Sequence, residues 1–123
     1  MAVNFDFLKE SNPELYEIGH GMEENFFKNT KASAQCGSKF LNALVKEIYE
    51  KNGLEYVSKS FMTKDIAELA EKGIIDEETA GEFEKAKIIR DEIMDKDAFD
   101  YDRVLALHSV LVVLASKFHN KYN

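Results

Sequence analysis

Arg103 and His108 lie in one predicted helix with four residues between them. A guanidinium that steadies developing phosphate charge and an imidazole that moves a proton are what phosphodiester cleavage needs. The pair is the one catalytic candidate weighed, and no catalytic residue is expected. The plainer expectation for His108 is a core histidine whose polar edge is hydrogen-bonded to a neighbour, and a spacing this short arises often in helices. Asp91 to Asp102 is a second candidate, because calcium loops gather oxygen ligands in such runs. Counting from Asp95, the third position is Asp97, as a calcium loop requires. The fifth is then Phe99, the sixth is Asp100 where glycine is needed, and the twelfth is Ala106 where glutamate is needed. A solvated helix–turn–helix connection, with Asp100 or Asp102 capping the next helix, fits better, and no metal site is expected. His20 and His119 fall on other helices, with no cysteine or second histidine at zinc spacing. Cys36, the single cysteine, follows no redox or metal pattern and reads as a small buried residue. Lys85, Lys87 and Arg90 form a modest basic strip that should pair with neighbouring carboxylates. No glycine-rich phosphate loop and no Gly-x-Ser-x-Gly turn occurs, so no cofactor is implied.

These residues must be carried by helices. Pro13, the only proline, stands where a helix starts, with Ser11 or Asn12 as its cap. Leu15, Ile18, Met22 and Phe26 recur at helical spacing. Gly19 and Gly21 weaken this helix and mark a close approach to another. A second helix is expected from about Lys31 to Asn52, burying Phe40, Leu41, Leu44, Val45 and Ile48, with Gly53 ending it. A loop through Tyr56 to Ser60 leads to a short helix from about Thr63 to Lys72, with Ile66, Leu69 and Ala70 inward and Gly73 at its end. Asp76 should cap a fourth helix that buries Phe83, Ala86, Ile89 and Ile93. The fifth is expected from about Tyr101 to Asn120. No stretch alternates like a strand. The chain thus reads as all-α, one helical bundle of about five helices over residues 1–123, with residues 1–10 packing on it through Phe5, Phe7 and Leu8.

The fifth helix is apolar nearly all round from Val104 to Ala115, apart from His108 and Ser109. One stripe (Val104, Leu107, Leu111, Ala115, Phe118) suffices for the core. Leu105, Val112 and Val113 fall away from it and need their own cover, from the N-terminal segment or from a symmetric dimer. The formal net charge of −7 argues against broad binding of nucleic-acid backbones. One cysteine allows no internal disulfide, and the opening residues do not read as a signal peptide, so a cytoplasmic protein is expected. The longest apolar run, Val110 to Ala115, is too short to span a bilayer.

Five runs in order carry a resemblance across nearly the whole chain. They are Asn4 to Leu8 with Pro13 to Ile18, then Glu23 to Phe27, then Phe40 with Leu44 to Lys51, Gly53 and Leu54. Leu69 with Gly73 to Ile75, and Phe118 to Tyr122, complete the set. In these the chain resembles the helical domain of unknown function at the N-terminus of type I restriction enzyme R subunits, a relative of the HEPN families. The resemblance implies a HEPN-like bundle. The family usually shows Arg-x-x-Gly-Asn followed by histidine at the end of the fourth helix. Here Lys87 keeps the first charge, Arg90 replaces the glycine, Asp91 the asparagine and Asp95 the histidine. Lys87, Arg90, Asp91 and Asp95 are the binding candidates by this match. On the second helix Ser38 and Asn42 stand where the family tends to carry Arg and Glu. Asp95 cannot replace histidine as a proton donor near neutral pH without a large pKa shift.

The resemblance implies a non-catalytic interaction or accessory domain tied to a type I restriction system, as part of an R subunit or as a free-standing relative. Its partners would be proteins, restriction subunits or a second copy. A small acidic inhibitor of a restriction or other defence protein is the alternative, and a divergent HEPN-type ribonuclease using Arg103 and His108 is the third reading.

Overall fold

Asn12, not Ser11, caps the first helix. Its Oδ1 accepts from the Leu15 N–H at 3.1 Å, and Pro13 follows in the first turn, where no amide hydrogen is missed. In the computed structural model, residues 4–57 and 61–122 are described. They form a 3-10 turn, Asp6–Leu8, and five helices: α1 Pro13–Glu24, α2 Thr30–Lys51, α3 Met62–Glu71, α4 Glu77–Asp95 and α5 Tyr101–Tyr122. No strand occurs among the described residues, so the protein is an all-α bundle. No helix among them is long and apolar enough to cross a membrane.

The capping chemistry sets the boundaries. Asn29 caps α2 through the Ala32 N–H at 3.0 Å, which moves its start one residue ahead of Lys31. Gly53 and Gly73 both have the left-handed backbone, φ 68° and 71°, that ends α2 and α3. Asp76 caps α4 through the Thr79 N–H at 2.8 Å. The expected loop from Tyr56 to Ser60 lies partly outside the described residues. Phe26 is buried, but in the turn after α1 rather than on the helix, because α1 ends at Glu24.

The two long helices α2 and α5 pack together at the centre. The helix α1 lies against α2, α4 bridges α5 and α2, and α3 packs on α4. One buried cluster runs from Phe5 to Phe118. Gly37 makes room for its neighbours' side chains: a Cβ there would sit 2.9 Å from Leu107 Cδ2 and 3.0 Å from Met22 Cε, so Leu107 of α5 and Met22 of α1 pack directly on the α2 backbone. The close approach of Gly19 is to the N-terminal segment before α1, the tail, and not to a helix. A Cβ on it would lie 2.5 Å from Cδ2 of Phe5. Of the expected inward residues, Ile89 and Ala70 are only half-buried, since each sits at the edge of its helix's contact face.

Candidate functional site

His108 is the centre of a polar group sealed inside the α1–α5 side of the core. Its Nε2 lies 2.7 Å from Oε2 of Glu23, in the last turn of α1. The two residues are 3% and 4% exposed. The Asn4 N–H donates to the same Oε2 at 3.1 Å, so the tail closes over the pair. The Phe5 and Phe26 rings meet the imidazole at 82° and 86°, with centroids 5.3 and 4.7 Å away. Phe5 also packs on Phe40 of α2 at 4.6 Å. Burying a carboxylate is costly unless it is paired and hydrogen-bonded, and here it is both. The core-histidine expectation therefore describes His108.

Arg103 does not join it. Its guanidinium faces solvent and pairs with Glu92 of α4 at 3.4 Å and with Asp100 at 3.3 Å. Asp100 also caps α5 by accepting from the Arg103 N–H at 3.3 Å. The two catalytic candidates face different surroundings and share no open space. Asp97 turns the chain with φ 50°, and the Ala98 N–H closes α4 on the Ile93 carbonyl. The acidic run is a capped turn between helices, as expected. Among the described residues no group of three or more His, Cys, Asp or Glu is placed to hold a metal ion.

Three of the four binding candidates do come together. On one face of α4, Lys87 Nζ lies 2.8 Å from Oδ2 of Asp91, and Arg90 Nε and Nη2 lie 3.0 Å from its Oδ1. Arg90 Nη1 reaches across to Oδ1 of Asn42 on α2 at 3.2 Å. Burial pushes the Asp91 carboxyl up, but the Lys87 and Arg90 hydrogen bonds and charges outweigh it and hold it below its ordinary value. These residues line a cleft of about 560 Å³ between α2 and α4, with Lys46 on its wall and Phe61, 82% exposed, at its edge. Asp95 lies a turn further along α4, exposed and outside the cleft. Lys85 of the same basic strip takes no ion pair among the described residues.

A second polar cluster, with Tyr49 and Asp65 buried and Glu68 exposed, ties α2 to α3. The Tyr49 hydroxyl donates to Oε1 of Glu68 at 2.5 Å and lies 3.4 Å from Oδ1 of Asp65. Burial, then these two acids, pushes the Tyr49 hydroxyl up. Sequence reading missed it, although a signal existed. Asp65 falls on the same face as Met62, Ile66 and Leu69, and an acid on an apolar face needs a partner.

The three α5 residues expected to need cover divide. Val112 is half-buried: it lies on the stripe of α5 between His108 and His119, along which the tail runs. Phe7 meets the His119 ring at 5.2 Å, and Ser11 Oγ lies 3.3 Å from its Nδ1. Of the two covers expected for Val112, the N-terminal segment is the one that lies on its side of the helix. Leu105 and Val113 remain exposed, Val113 by 42%. At the start of the same face Phe27, also exposed, stacks on Tyr101. No family model, no curated protein and no solved structure matches the chain.

Proposed function

We propose that this chain is a non-catalytic interaction domain tied to a type I restriction system, as the N-terminal part of an R subunit or a free-standing relative. The observation that supports a binding rather than a cleaving role is the commitment of His108. Its Nε2 is bonded to Glu23 under the tail, and its neighbour Arg103 is taken up by Glu92 and Asp100. A proton-transfer group must reach its substrate directly or through one water, and a 3% exposed imidazole beneath two phenylalanines cannot. The restriction context rests on the ordered runs of sequence from Asn4 to Tyr122 that resemble that domain. A protein partner, or a second copy, is supported by the exposed apolar side chains Leu105 and Val113. The cytoplasm suits a chain with one free cysteine, Cys36.

The test is incubation of the purified chain with single-stranded RNA and DNA, with and without magnesium or manganese. No cleavage is expected. Cleavage that disappears in Arg103→Ala, a substitution at an exposed position, would overturn the reading in favour of a divergent nuclease.

A further inference from the structure

All 23 acidic residues of this chain lie outside one stretch, residues 28–46, which carries four lysines and no carboxylate. That stretch is most of α2 and the turn before it. Lys31, Lys39 and Lys46 are exposed, and helical spacing puts them on one stripe with Gln35 and Asn42. None of the ion pairs among the described residues takes Lys28, Lys31, Lys39 or Lys46. The Arg90–Asn42 hydrogen bond sets the cations of α4 beside the same stripe, and the cleft with Phe61 lies at its Lys46 end. A molecule with net charge −7 thus keeps one long basic face, with an exposed aromatic side chain at one end.

We infer that this face of α2, with the α2–α4 cleft, is a docking surface for an acidic helical segment of a partner protein. The inference rests on the interaction-domain reading and names the site and the partner's chemistry. The spacing fits a helix. With a rise of 1.5 Å per residue, Lys31 and Lys39 are about 12 Å apart and Lys39 and Lys46 about 10 Å, close to two turns each. A partner helix lying alongside meets them with carboxylates two turns apart. Its apolar side chain packs on exposed Phe61 at the edge of the cleft. A duplex presents a charge about every 1.7 Å, which three spaced lysines cannot match.

The experiment is an NMR titration of the full isotope-labelled chain with a synthetic alanine-rich helix carrying glutamates two turns apart and one leucine. Its glutamine counterpart, a single-stranded oligonucleotide and a duplex are titrated in parallel. The glutamate helix is expected to shift the amides of Lys31, Lys39, Asn42, Lys46 and Arg90, and to weaken as salt is raised. Lys39→Glu with Lys46→Glu should weaken it about tenfold or more, with the circular dichroism melt unchanged because both sites are exposed. No shift along α2, or equal binding of the glutamine helix, overturns the inference. Tighter binding of either nucleic acid at the same residues overturns the class of partner. Neither result bears on the cleavage assay, so this surface can fail while the interaction-domain reading stands.

Discussion

Replacing His108 with leucine should be among the most damaging single changes at this chain's surface or core. Leucine fills much of the imidazole's volume between Phe5 and Phe26, so cavity formation is kept small. What remains is the Glu23 carboxylate, 4% exposed, held by the Asn4 N–H alone. Both partners are almost fully buried, so solvent does not screen the pair as it does one at the surface. Removing one member of a buried pair costs about 3–5 kcal/mol. Against a total stability of about 5–15 kcal/mol for a domain, that is a large loss. Glu23→Leu together with His108→Leu removes the uncompensated charge and should recover most of it, since apolar replacements of buried pairs are neutral or stabilising by about 1–4 kcal/mol. Urea unfolding followed by circular dichroism measures all four corners of the cycle. A single-variant loss under about 1 kcal/mol, the size of a surface pair, or a double variant as damaged as the sum of the singles, refutes the reasoning.

Asp91→Asn should lower stability by no more than about 1 kcal/mol, because the carboxylate is partly exposed. The folded carboxyl lies below its unfolded value, so its contribution is full above the unfolded pKa and is lost as pH falls through the folded one. The melting difference between parent and variant should therefore close in acid, and a difference that widens there contradicts the pairing. Val113→Glu should leave the fold intact, and if α5 self-associates, sedimentation equilibrium will show a parent dimer and a variant monomer. A parent that stays monomeric at tens of micromolar, roughly where modest interfaces form, removes self-association from the account.

Four helix boundaries were legible because they are written in local chemistry. Asn12 before Pro13, Asp76 before Glu77, and Gly53 and Gly73 after apolar stripes each fix an end without reference to the rest of the chain. The pairing of Lys87 with Asp91 was legible in the same way, from their four-residue spacing. His108 was legible as a core histidine in need of a partner, but the partner was not. Glu23 is 85 residues away, and beside Glu24 it looks like half of a solvated acidic pair. Its signal is positional: Glu23 is four residues after Gly19 and one after Met22, on the buried side of α1. The tail's path was half legible. Phe5 and Phe7 marked it as an anchor, yet the place it anchors depends on the room left by Gly19, which sequence assigned to a helix contact. The cleft between α2 and α4 depends on how two helices separated by α3 come to lie side by side, and no local rule supplies that.

Chemical modification of the histidines with diethyl pyrocarbonate, mapped by peptide mass spectrometry, tests most directly whether His108 is a sealed structural group. His20 has half its side chain exposed and should react readily, while His108 should stay unmodified until the chain is unfolded. Modification of His108 in the folded chain at the rate of His20 would contradict the account, because it would put a reactive imidazole within reach of a substrate.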